Sequence, residues 1–247
     1  MAEASNERYN QQSNTKKRAS FTMDTIGNVV DFIVLLFIAW IVSILMEWIG
    51  MLFFWPEQGA MHSENMLMTE LNYINADFKH TLFGSTPVQF SAWMAGQLDY
   101  WLFEATYFRD LIAWTMTPPS DAGGFRVGLG NVITVMHDYI AASINTTQVF
   151  GVRLAIAILS TPAFILIGLA ALIDGLVKRE LRREGGANES SFIYHNIKPW
   201  VKPAIIGAWF IYLGMPVSMH PNIIFIPASL MFGISIYITS SMFKKYL

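Results

Sequence analysis

The sequence predicts an all-α, polytopic membrane protein with four transmembrane helices and a helical periplasmic segment. Three observations carry that expectation. The 247 residues are 53% hydrophobic and only 14% charged, with a mean hydropathy of +0.40, whereas a soluble domain is about 25% charged. Apolar stretches recur at a length of about 20 residues, enough to cross roughly 30 Å of hydrocarbon. Lysine and arginine gather on one side of those stretches, as the positive-inside bias requires.

Residues 1–28 read as a polar tail. The apolar run that follows is too long for a signal-peptide core and reads as a retained anchor. It gives a first transmembrane helix over residues 29–55, whose core from Phe32 to Trp55 carries a single charge, Glu47. The second covers 153–177, with an uncharged core, Leu154 to Ile173, that contains Pro162. A proline kink is tolerated in a membrane helix when neighbours satisfy the freed backbone groups. From Pro203 to Phe243 no Asp, Glu, Lys or Arg occurs over 41 residues, too many for one helix and enough for two. A break at Met219-His220-Pro221-Asn222 divides them into helices over 202–219 and 222–243, an antiparallel hairpin, before a short end at 244–247. The 202–219 helix is the short one and holds Pro203 and Pro216.

Sidedness follows from the basic residues. The tail, residues 178–201 with Lys202, and the C-terminal end hold 12 of the 16. The other four, Lys79, Arg109, Arg126 and Arg153, are spread over the opposite side among nine acidic residues between Glu57 and Asp138. Four crossings put both termini on one side, and the charges make it the cytoplasmic face.

Residues 56–152 are the only stretch long enough for a domain outside the bilayer. Leu67, Leu71, Ile74, Phe78 and Leu82 make one apolar helical stripe. Thr86-Pro87 announces a second helix, over 88–116, with Phe90, Met94, Leu98, Trp101, Leu102, Ala105, Phe108 and Ile112 on its apolar face. A loop follows at Ser120-Asp121-Ala122-Gly123-Gly124. Val132, Val135, Met136, Tyr139, Ile140 and Ile144 then form a third pattern that leads into the second span. A helical cap packed on its own spans or on a neighbouring subunit is preferred to a lipid-surface helix. Surface helices usually carry Lys and Arg on the polar face, and here Asp99, Glu104 and Asp110 outnumber Arg109. Whether helix 88–116 is periplasmic, interfacial or membrane-inserted stays open.

The chemistry-bearing residues are few. No cysteine is present, so no disulfide or thiol chemistry arises. The five histidines lack H-E-x-x-H spacing, and neither a G-x-S-x-G elbow nor a P-loop occurs. A non-enzymatic protein without cofactor or metal is the expectation. Glu47 is an intramembrane carboxylate and hence a candidate site, because such a charge is expensive in hydrocarbon. The competing and preferred reading is structural, since Glu47 lies in the outer half of its span beside Trp48 and Trp55. Ala204/Ala208 and Ser229/Gly233 are small-xxx-small pairs that let membrane helices approach closely.

The most informative stretch leaves the second span as Asp174-Gly175-Leu176-Val177-Lys178-Arg179-Glu180-Leu181-Arg182-Arg183 and ends its helix at Gly185-Gly186. Lys178/Arg182 and Arg179/Arg183 would stack at i, i+4 as a basic ridge at the headgroups, each residue worth about 1 kcal/mol near anionic lipid. A positive-inside loop explains these basic residues. It leaves Glu189-Ser190-Ser191-Phe192-Ile193-Tyr194-His195 unexplained. The two segments together resemble the signature of the integrating conjugative element membrane proteins, inner-membrane proteins encoded beside the type IV coupling protein of conjugation loci. The strong likeness runs from Asp174 to about Lys198. That family's pattern carries Asp, Arg and Arg where this chain has Glu180, Asn188 and Pro199, so two positive charges are missing from the loop.

The resemblance implies an accessory component of a conjugative DNA-transfer apparatus, related to type IV secretion. Its partner would be the coupling protein, met through Arg179, Arg182, Arg183, Glu189, Ser190, Ser191, Phe192, Tyr194 and His195. Membrane lipid is the other expected contact, and self-association is compatible with the sequence. Direct binding of nucleic acid is not expected, because Glu180, Glu184 and Glu189 interrupt the basic patch that phosphates need. A small transporter or channel component using Glu47, or a membrane assembly factor, is the alternative.

Overall fold

The computed structural model describes residues 2–77, 86–117, 123–185 and 191–243, with side chains described from residue 26 onward except that of Ser191. Every regular element among the described residues is helical. In order they are α1 (Ala2–Phe53), α2 (Met61–Asp77), α3 (Pro87–Asp99), α4 (Phe108–Met116), α5 (Gly124–Val135), α6 (His137–Glu184), α7 (Ser191–Ile197), α8 (Val201–Gly214) and α9 (Pro221–Ser241). Among the described residues three segments are long and apolar enough to cross a membrane: Ile26–Phe53 of α1, all of α6, and α9. The 14 residues of α8 rise about 21 Å, short of the hydrocarbon thickness. It pairs with α9 as a hairpin whose turn ends at His220, the cap of α9.

The organising element is α6. Its 48 residues extend about 72 Å, twice what a bilayer needs, and its two halves have different neighbours. Residues from Ala142 to Ala157 contain the most buried stretch of the chain, with Val149 to Arg153 enclosed without a break. Here α1, α2 and α3 surround α6. Farther along, Ile165, Leu166, Leu169, Ile173 and Val177 are exposed, because only α8 and α9 cover this half. An apolar surface of that extent needs a nonaqueous neighbour.

The heights of the helices are set by specific contacts. Trp40 Nε1 donates to Thr147 Oγ1 at 2.9 Å, and Trp48 Nε1 donates to Ser143 Oγ at 3.0 Å. These fix α1 antiparallel to the first half of α6, N-terminal to the apolar core Leu154–Ile173. The segment expected outside the bilayer is therefore not stacked beyond the first apolar helix: α2 and α3 lie along the same half of α6 as that helix does.

Where the sequence stripes and the structure differ, the backbone supplies the reason. The buried face of α2 runs through Ser63, Met66, Glu70 and Ile74, one step round from the expected stripe, whose Leu67 and Leu71 are partly buried; Phe78 and Leu82 lie outside the described residues. The single helix expected over 88–116 is divided. Thr86 caps α3 with a reciprocal capping box to Gln89, and a π-helical segment, Tyr100–Glu104, then inserts one residue into the repeat. That advances the phase of the face, so Phe103 is buried and Trp101 turns out. Tyr107, at φ 58°, ends the run and starts α4. The third pattern is also cut, at Met136, and α6 begins at His137. Val132, Val135 and Met136 of that pattern stay exposed on the α4–α5 hairpin.

Small residues decide how closely α6 is packed. At Gly151 a β-carbon would lie 2.6 Å from the Ala95 Cα of α3, and at Gly175 it would lie 2.7 Å from the Tyr237 carbonyl of α9. Neither neighbour is a flexible side-chain end. The expected seam residues Ala204, Ala208, Ser229 and Gly233 are all buried. Gly207, by contrast, has open space around it. Gly151→Ala should destabilise the protein by about 1–3 kcal/mol, as overpacking does, while Gly207→Ala should leave it unchanged or slightly stabilised. Thermal unfolding of the two variants in one detergent, side by side with the parent, measures the difference.

Candidate functional site

Among the described residues two groups of ionisable side chains hold the candidate residues, one in the buried half of α6 and one where the end of α6 and α7 meet the end of α9. The first centres on Arg153, which is 1% exposed. Its Nε and Nη2 donate to Glu70 Oε1 at 2.9 and 2.8 Å, and Tyr212 Oη donates to Glu70 Oε2 at 3.0 Å. Both carboxylate oxygens are thus satisfied from different helices, α6 and α8. Arg153 also donates from Nη1 to the Met215 carbonyl and from Nη2 to that of Val217 at 2.8 Å. These carbonyls follow the end of α8, where helical partners run out. One guanidinium, with five donors in a fixed fork, therefore ties α2, α6 and the turn after α8 together.

Glu47 belongs to the same half of the molecule. It is 1% exposed and contacts His62 Nδ1 at 3.0 Å, while Trp55 stacks on the His62 ring with centroids 3.9 Å apart. The charge in the first apolar helix is therefore turned toward α2. The sequence supplied Glu47 without its partner, because 15 residues and a turn separate it from His62.

Glu70, Arg153 and Tyr212 were not among the expected site residues. A signal existed for Glu70: it stands between Leu67, Leu71 and Ile74, a carboxylate on an apolar helical stripe. No sequence spacing links it to Arg153, 83 positions away.

The second constellation holds the motif residues. Here α7 folds back on α9 and buries Tyr194, whose ring meets Phe243 at 5.9 Å, His195 at 5.3 Å and the Lys198 ammonium at 5.4 Å. The basic residues do not act as one ridge. Arg179 lies over the Phe243 ring at 5.6 Å and Arg182 Nη1 reaches Met242 Sδ at 2.8 Å. Arg183 pairs with Glu180 at 2.9 Å on the surface. Phe192 is 78% exposed. Ser191 opens α7, and Glu189 and Ser190 lie outside the described residues. The structure thus brings Arg179, Arg182 and Tyr194 to the end of α9 and leaves Arg183, Phe192 and His195 exposed.

Removing one member of the buried pair strands a charge. Arg153→Ala should cost about 3–5 kcal/mol, and replacing both partners with apolar residues, Glu70→Leu with Arg153→Met, should recover much of it. Thermal unfolding of the three proteins in detergent, read as a double-mutant cycle, tests this; a double variant no more stable than Arg153→Ala would contradict it.

No curated protein and no solved structure matches the chain. A family model described as IncC plasmid conjugative DNA transfer protein DtrJ-like matches residues 54–244, more than three quarters of the sequence. That range takes in α2 through α9, both constellations and the Asp174–Lys198 motif; the chain belongs to the DtrJ-like family of conjugative DNA transfer proteins.

Proposed function

We propose that this protein is a non-enzymatic accessory component of a conjugative DNA-transfer apparatus in the bacterial inner membrane. In this reading α1, α6, α8 and α9 cross the bilayer, both termini are cytoplasmic, and residues 178–201 contact the coupling protein of a type IV secretion-like machine. The family membership carries the reading. The three apolar helices support the membrane placement, and the basic residues at the α6–α7 end support its sidedness. With α8 too short to cross alone, its continuation through Met215–His220 completes the fourth passage, and the 3₁₀ turn Lys198–Trp200 lies at its cytoplasmic edge.

The partner-facing surface is narrower than the whole motif. Tyr194 is committed to holding α7 on α9, so the groups offered outward include Phe192 and the Arg183–Glu180 pair. Phenylalanine and arginine are both enriched at protein–protein interfaces relative to the rest of the surface. Phe192→Ser with Arg183→Ala should lower transfer frequency roughly tenfold or more at unchanged membrane abundance. The same variant should lose a crosslink from the α7 surface to the coupling protein. Wild-type transfer by the double variant would refute the contact.

One observation favours a second reading. The buried Glu47 and the half-buried His62 form a titratable pair, which a small transporter or channel component could use. Under the accessory reading Glu47→Gln, which keeps a hydrogen-bonding partner for His62, transfers DNA like the parent. A folded Glu47→Gln protein that has lost transfer would favour the transporter.

A further inference from the structure

We propose that the α6–α8–α9 end carries a binding site for one anionic phospholipid, with its phosphate among Arg179, Lys198 and Lys202 and an acyl chain in the groove beneath. This rests on the membrane reading above, with that end in the cytoplasmic leaflet. Between the three helices lies a groove of about 520 Å³ whose walls include Leu176, Val201 and Ile236. All three cations line it as well. They come from different elements: Arg179 from the last turns of α6, Lys198 from the 3₁₀ turn, and Lys202 from the start of α8. The site therefore exists only in the folded bundle.

Charge complementarity selects the occupant. Glu180, the nearest acidic residue in sequence to Arg179, is paired with Arg183. Among the described residues none of the three cations has a carboxylate partner, and Arg179 Nε has no hydrogen-bond acceptor. An unpaired buried donor is costly, and a phosphate oxygen near the guanidinium suits its forked geometry. The walls carry the other half of the argument. Leu172 and Leu176 are 40% and 44% exposed, an apolar channel continuous with the cations. A soluble phosphate would use the charges and leave that channel unfilled, whereas a phospholipid uses both. Trp200, 57% exposed in the same turn as Lys198, faces a separate groove along α9 and is an aromatic of the kind enriched at membrane interfaces.

The test uses the full chain, purified in mild detergent and also placed in phosphatidylethanolamine nanodiscs with a minority of phosphatidylglycerol. Native mass spectrometry should find phosphatidylglycerol retained over phosphatidylethanolamine, and added phosphatidylglycerol should raise the unfolding temperature. Arg179→Gln with Lys198→Gln and Lys202→Gln should weaken retention roughly a hundredfold, given about 1 kcal/mol per basic residue at an anionic surface. Arg179→Lys with Lys198→Arg and Lys202→Arg should keep it. Ile236→Trp, which fills the groove and keeps the charges, should also lose the lipid. Equal retention by the triple Gln variant, no preference over phosphatidylethanolamine, or equal stabilisation by inorganic phosphate would each overturn the site.

Sidedness is read separately. The chain has no cysteine, so Phe192→Cys can be labelled with a membrane-impermeant maleimide on cells. Labelling from outside would overturn the cytoplasmic placement while retention in detergent still reports on the groove.

Discussion

The buried pair of Arg153 and Glu70 is the interaction on which the rest of the arrangement depends. Two opposite charges out of water are stable only when geometry and extra hydrogen bonds repay their desolvation. That condition is met here by bringing three separate pieces of chain to one point. Glu70 on α2 accepts from α6 and from Tyr212 of α8, and Arg153 supplies the acceptor-rich turn after α8 with the donors it lacks. Any packing that separated these elements would strand a charge. The pair therefore specifies register among α2, α6 and α8 more than it adds stability.

That register places the other features. With α2 tied to α6 at Arg153, the start of α2 meets the end of α1, and His62 reaches Glu47. With α8 held at its end, α9 turns back along the second half of α6, where Gly168, Gly175 and Gly233 let the helices close. The ends of α6 and α9 then stand side by side, and α7 closes over them through Tyr194 and Phe243. The arrangement of α7 on α9 and the groove between three cations are products of the same packing.

The two ends of α6 serve different demands. Its first half is a protein interior, with threonines, an arginine and small residues enclosed by three helices. Its second half shows large aliphatic side chains on its open face. A helix of this length can host both because its backbone hydrogen bonds are internal and indifferent to the surroundings. The change from one environment to the other falls near Arg153, where the enclosing helices give way to the α8–α9 hairpin.

The sequence by itself determined the helical class, the three long apolar segments, the hairpin turn near His220 and the relation to conjugation. These are properties of composition, period and local motif, each legible within a window of a few turns. It also marked Glu47 as a charge within an apolar span and Glu189–His195 as a stretch that the positive-inside bias leaves unexplained. Only the tertiary structure decided which charges meet. The Glu70–Arg153 and Glu47–His62 contacts join residues whose spacing carries no periodic signal, and burial makes each partner's choice a matter of packing. It decided too that one added residue in the π-helical turn exchanges Trp101 for Phe103, since a phase shift of the backbone leaves no mark in the apolar pattern. The division of the motif into inward Arg179, Arg182 and Tyr194 and outward Arg183 and Phe192 came from the fold as well. Neighbouring residues on a helix point in different directions, and which direction is inside depends on where α9 lies.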